Sequence, residues 1–263
     1  MAHFPKEPTS VLYRRGASLA QITVEARLMP APGILVKTAS IITELGMRIL
    51  SLTFTARGGR RYVTAFVDLT ESEYGLGDLV ERLRREEFVV RIESSEAEFP
   101  GLLVDRHCFP LEAMGGEIRA LLVPAETFSE IFAVMRERYG ASAWVLAFHL
   151  GRLLGESIAR RLMELVEAPP EDMARLFAQV YTAYGWGKME VRPLFLGRGI
   201  RVAVEENFEA LAYGRSLEPV CHFTRGVIAG AASAVLGREC SVEEVKCRAM
   251  GDERCEFVVR EGR

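Results

Sequence analysis

Residues 221–255 read CHFTRGVIAGAASAVLGRECSVEEVKCRAMGDERC and hold four of the five cysteines of the chain. An apolar segment with Gly226, Gly230, Ala234 and Gly237 follows Cys221 and is expected to be a helix. Cys221 then stands at or near a helix N-terminus, which stabilises a thiolate. SVEEVKCRAM (241–250), a turn at Gly251-Asp252 and ERCEFVVR (253–260) predict a β-hairpin. In that register Cys247 and Cys255 lie about opposite each other, with Cβ atoms roughly 5 Å apart. Two ligands of one ion can share such a spacing. Cys221, Glu244, Cys247 and Cys255 are therefore candidate metal ligands, because tetrahedral zinc accepts thiolate and carboxylate together. Residues 244 and 247 face opposite ways on a regular strand, so Glu244 can join only through a bend, a bulge or a helical turn. His222 and Cys240 are the alternatives to it.

Around this stretch the chain has the composition of a soluble globular protein. It has 263 residues, 49% hydrophobic and 26% charged, enough for one large domain or two ordinary ones. A net charge of -3 gives no basic footprint for nucleic acid. No apolar run approaches the roughly 18 residues needed to span a bilayer. The opening MAHFPKEPTS has no signal-peptide pattern, so a cytoplasmic location is expected. There an odd number of cysteines favours thiols or metal ligands over disulfides.

Upstream, EIRALLVPA (117–125) predicts a strand, and Thr127 or Ser129 can cap a helix to Arg138 that Gly140 breaks. A long helix follows from Ser142 to about Val166. Its Gly151 and Gly155 share a face and point to tight helix packing. Pro169 and Pro170 start a helix over 171–184, with acids in its first turn where the dipole favours them. Strands are expected over 188–196 and 200–208, joined by Gly197-Arg198-Gly199. The segment PVCHFTRGVIAG…SVEEVKCRAMGDERCEF closely resembles the C-terminal end of the 4-vinyl reductase domain. The resemblance extends over 117–263, through HLGRLLGES and GWGKMEV. It implies a structural zinc held by three Cys and one Glu, matched here by Cys221, Glu244, Cys247 and Cys255. It also implies a pocket between helices and sheet for a small apolar or aromatic molecule, with Phe148, His149, Tyr181, Tyr184, Trp186 and Phe208 as candidate ligand-binding side chains.

Residues 1–17 read as an N-terminal arm. Over 18–95 the order is strand, helix, strand, strand, helix, strand, a ferredoxin-like βαββαβ unit. PGILVKTASIITELGMRILSL in this unit resembles the opening of an ACT domain, a small regulatory module. That resemblance implies side-by-side pairing into a homodimer and effector binding at the first strand-helix turn, here Pro32 and Gly33. Residues 96–116 read as a linker or covering loop, whose His107 and Cys108 have no second ligand pair nearby and read as structural.

The expected fold is α+β: a ferredoxin-like domain followed by a mixed α/β, zinc-stapled ligand-binding domain. The expected function is a small-molecule sensor or regulator, acting through a protein partner or its own oligomer. The competing readings are a reductase of a tetrapyrrole vinyl group, for which the sequence offers neither GxGxxG nor P-loop, and a non-catalytic scaffold.

Overall fold

The computed structural model describes residues 8, 10–27, 31–193 and 199–262, and these form two compact units divided between Leu121 and Leu122. The mixed α and β content agrees with expectation. No helix among the described residues is long and apolar enough to cross a membrane.

In the first unit, β1 (Val11–Tyr13) comes from the expected arm, followed by β2 (Leu19–Ala26), α1 (Ala31–Glu44) and β3 (Arg48–Arg57). Then come β4 (Arg60–Asp68), α2 (Leu76–Arg84) and β5 (Val89–Glu96). The sheet order is β3-β4-β2-β5, antiparallel throughout. Alternating side chains explain the core: Ile22, Val24, Val63 and Ala65 are wholly buried with Ile34 and Ile42 of α1 and Leu79 and Leu83 of α2. Gly46 ends α1 with a positive φ of 68°, and Gly58 and Gly59 carry positive φ in the hairpin turn, both conformations that favour glycine.

The stretch 96–116 packs against the first unit instead of linking two domains. It forms β6 (Leu102–Val104), paired with β1, and β7 (Glu112–Ala113), paired with β8 (Ile118–Arg119). Leu103 is buried against Leu19 and Phe66. Asp105 accepts from Gln21 Nε2 at 2.6 Å, and the backbone N–H of Arg106 donates to Gln21 Oε1 at 3.0 Å. Both His107 ring nitrogens are engaged, with Thr23 and Ser95, and Cys108 Sγ contacts Thr64 Oγ1. These long-range contacts keep His107 and Cys108 in a structural role. The strand expected over 117–125 shrinks to β8, because helix α3 begins at Ala125.

The second unit holds α3 (Ala125–Tyr139), α4 (Ala141–Leu165), α5 (Pro170–Ala183), β9 (Lys188–Pro193) and β10 (Ile200–Glu205). It continues with α6 (Phe208–Tyr213), α7 (His222–Leu236), β11 (Cys240–Lys246) and β12 (Cys255–Glu261). The expected β9–β10 turn at 197–198, and residues 194–196 of the expected strand, lie outside the described residues. The sheet order is β11-β12-β10-β9, again antiparallel. Helices α5 and α7 pack on it, and α4 packs on α7.

The α4–α7 crossing is the tightest contact in this unit. Ala143, Ala147, Gly151, Gly155 and Ala159 recur every four residues and are all buried. A Cβ on Gly151 or Gly155 would overlap the carbonyl oxygen of Phe223 or Val227. One on Gly226 or Gly230 would overlap that of Phe148 or Arg152. Reciprocal glycines thus let two backbones touch where side chains normally hold helices about 8–10 Å apart.

On the sheet side away from α7, Glu256 is buried yet faces Arg201 at 3.1 Å, Lys246 at 3.4 Å and Arg254 at 3.1 Å. Burial alone would raise its pKa, but Arg254 and Lys246 overcome this and hold it below the ordinary 4.5. A depressed carboxylate stabilises the fold above its unfolded pKa, and that contribution disappears as pH falls through the folded value.

Gly155→Ala is expected to cost about 1–3 kcal/mol or more by overpacking, against a change within about 0.5 kcal/mol for Ser157→Ala on the exposed face of α4. Denaturant midpoints of the two variants check this; equal midpoints would contradict the crossing. Glu256→Gln is expected to lower stability at pH 7, with the gap to the parent closing below pH 4.5. A gap that is constant with pH would contradict the assignment.

Candidate metal centre and ligand cavity

The hairpin of β11 and β12 contains the irregularity that brings Glu244 to the cysteines. Glu244 pairs with Phe257 and Lys246 with Glu256, so the register slips at Val245. This bulge lets Glu244 and Cys247 reach the same side. Cys247 leaves the strand and precedes a 3-10 turn (Arg248–Met250), with its N–H donating to Asp252 at 2.9 Å. Cys255 opens β12, and Cys221 is the N-cap of α7.

The four donor atoms of Cys221, Glu244, Cys247 and Cys255 lie within 4.8 Å of one another, and all four residues are buried. Cys221 Sγ is 3.9 Å from Cys247 Sγ and 3.6 Å from Cys255 Sγ. These distances exclude disulfides, which need about 2.05 Å. They agree with the roughly 3.8 Å edge of a tetrahedron with about 2.3 Å metal–sulfur bonds. Glu244 Oε2 accepts the Cys221 N–H at 3.0 Å, while the buried Oε1 has no hydrogen-bond partner. That orphaned oxygen, aimed into three thiols, is the donor a cation would satisfy. Cys240 lies outside the set, directed at the Arg238 carbonyl. His222 is also outside it, stacked on Trp144 at 4.5 Å.

Electrostatics point the same way. Hydrogen bonds from Cys221 and Cys255 hold the Cys247 thiol far below its ordinary range. The bond to Cys247, then that to Cys255 and burial, push Cys221 well above it. Cys255 is favoured by Cys221 but opposed by Cys247 and burial, and rises to about 12. Burial pushes Glu244 up to about 8. Without a cation, four acidic groups this close share few negative charges; a divalent ion removes that constraint.

The residues missed in the sequence are those that finish anchoring α7. Glu209 is buried and accepts N–H bonds from Phe223 and Thr224, each at 2.9 Å, and burial holds its pKa up at about 7. Asn207 accepts from the Thr224 hydroxyl at 3.2 Å. With Glu244 on Cys221, two carboxylates satisfy three of the N–H groups that a helix start leaves free. Nothing in a lone Asn-Phe-Glu sequence signals this, because the partner is fourteen residues on.

Of the six candidate ligand-binding side chains, Tyr181, Tyr184, Trp186 and Phe208 gather in an aromatic cluster. Trp186 meets Tyr181 at 5.3 Å and Tyr184 at 6.0 Å, and Phe223 meets Trp186 at 6.4 Å and Phe208 at 6.0 Å. Phe148 sits under the Arg225 guanidinium and His149 is exposed on α4. A cavity of about 310 Å³ lies beside them, lined by none of the six. Its walls are Ala174 and Phe177 of α5, and Ile228, Ala231, Ala232 and Val235 of α7. The sheet supplies Met189, Val191, Ile200, Val202 and Val259. These aliphatic residues carry no sequence signal that separates a cavity wall from a filled core. Pro32 and Gly33 lie in the first turn of α1, in the first unit.

A profile of the vinyl-4-reductase domain matches residues 200–261, which include all four cluster residues. An uncharacterized protein of Methanocaldococcus jannaschii is 48% identical over 42 residues, 16% of this chain and 23% of that protein. A second uncharacterized protein of that organism is 26% identical over 149 residues, 53% of this chain and 76% of that protein. The chain therefore spans less than a quarter of the first relative and about three quarters of the second. The crystal structure of the phenol-responsive sensory domain of the transcription activator PoxR with phenol is similar at 19% identity and a TM-score of 0.48. The similarity covers 56% of this chain and 78% of that one. It is in residues 200–261, around the cluster, that this chain matches the vinyl-4-reductase domain.

Proposed function

We propose that the protein is a cytoplasmic small-molecule sensor or regulator that takes an apolar or aromatic ligand into the cavity of its second unit. The observation that carries this reading is the sharing of two elements between cluster and cavity. Helix α7 starts at Cys221 and lines the cavity from Ile228 to Leu236; β12 starts at Cys255 and lines it at Val259. At 1.5 Å per residue, the first cavity residue of α7 is only about 10 Å from the cluster. Fixing the starts of both elements fixes two cavity walls.

In this reading the ion is zinc, and its role is structural, since a closed four-ligand set leaves no open coordination position for chemistry. The first unit is an ACT-type module that pairs chains or binds an effector near Pro32 and Gly33. Val145, Leu146, Leu150 and Leu153 of α4 expose an apolar stripe that also suits pairing into a homodimer or docking of a protein partner. A ligand acts by favouring one of two seatings of α7, a population shift that a partner or the dimer reads.

Purified protein is expected to contain one zinc per chain by elemental analysis. Cys247→Ser and Cys255→Ser are expected to lose it and about 4 kcal/mol or more of stability. Metal-free parent protein whose stability a chelator leaves unchanged would contradict the assignment. Native mass spectrometry of protein from its own host should show a bound small apolar molecule. Turnover of a tetrapyrrole vinyl group with added nicotinamide or flavin would instead establish a reductase.

A further inference from the structure

The cavity walls say what kind of ligand they can hold, on the reading that this cavity is the binding site. Among the described residues, the side chains of α5, α7 and the sheet that line it are aliphatic apart from Phe177 and three ionisable groups. Those three, Glu171, Arg175 and Glu261, are exposed and already paired: Arg175 with Asp172 at 3.0 Å and Glu171 at 3.9 Å, and Glu261 with Arg238. The backbone offers little more. Strand β10 is hydrogen-bonded on both sides, to β9 and β12, so Ile200 and Val202 present only side chains to the cavity. No hydroxyl, amide, imidazole or indole among the described residues lines it.

We infer that the cavity is selective for a neutral hydrocarbon, one whose buried part carries no hydrogen-bonding group. A phenol placed here would bury its hydroxyl without a partner, at a cost no wall group offsets. A carboxylate would meet two acids and one arginine at the exposed edge, a net negative surround. Size sets a second limit. At about 30 Å³ per water-sized group, the cavity accommodates on the order of ten non-hydrogen atoms, which suits one aromatic ring with small alkyl substituents or a short alkyl chain. Walls of Ile, Val, Leu and Met supply shape and dispersion without direction, so selectivity lies in what is excluded.

The test is calorimetric titration of the full chain with p-xylene, 4-methylphenol and 4-methylbenzoate, which share a methylated ring and differ in the opposite substituent. p-Xylene is expected to bind at least roughly 10-fold tighter than 4-methylphenol, the ratio for one unpartnered hydroxyl, and 4-methylbenzoate is expected not to compete. Ala174→Phe, at a partly exposed position of α5 on the cavity wall, is expected to abolish p-xylene binding, and Val235→Trp from α7 should do the same. If 4-methylphenol binds as tightly as p-xylene, or 4-methylbenzoate competes, the inference is overturned while the cavity remains a binding site. A site that reads a hydroxyl would reverse the order. If none of the three binds, or p-xylene binding survives both filling variants, the reading of the cavity as the ligand site falls as well. The order of the ligands is measured on the unaltered chain, so it decides the inference even where a filling variant misfolds.

Discussion

The start of helix α7 is the point on which the second unit depends. Three sulfur atoms and a carboxylate converge there from four separate positions in the chain. Glu244 and Glu209 take up the helix N–H groups, which a buried helix end cannot leave unpaired. Once α7 is held at this end, the glycines of α4 and α7 fix its other flank, because no side chain stands between the two backbones. One end is fixed by ligand donors and one side by close contact. The remaining face lies over the sheet, and the cavity is the space left there.

This arrangement separates stability from recognition. The cluster is buried and closed, its donors all engaged by one another, so its contribution is to bring α7 and β12 together. The cavity lies further along the same two elements and has no ionisable group in its interior walls among the described residues. A ligand there gains from apolar burial and from contact with a rigid wall, at roughly 25 cal/mol per Å² of apolar surface removed from water. Because the ligand and the ion act on shared elements, each is expected to strengthen the hold of the other.

Local signals carried most of the elements. Gly46, Gly140 and the paired prolines at 169–170 stand where the helices of the structure stop or start. The four cluster residues were legible as a set, and the need for a bulge beside Glu244 followed from strand periodicity; Val245 supplies it. Long-range partners were not legible. Asp105 reads as a loop acid until Gln21, eighty-four residues earlier, lies against it, so 96–116 looked like a linker. The short strand β8 failed to reach the length its β-rich sequence suggests because its partner β7 has only two residues. The aromatic side chains proved to cluster around Phe223, while the cavity is lined by aliphatic residues of ordinary core type. A missing volume has no residue to announce it.

The central claim, that a metal at the cluster holds the walls of the cavity, is tested most directly by amide hydrogen exchange on the full chain before and after chelation. Loss of protection is expected across residues 221–236 and 255–261 together, with the sheet and helices of the first unit unchanged. Protection of those two segments that is the same with and without the ion would contradict the claim.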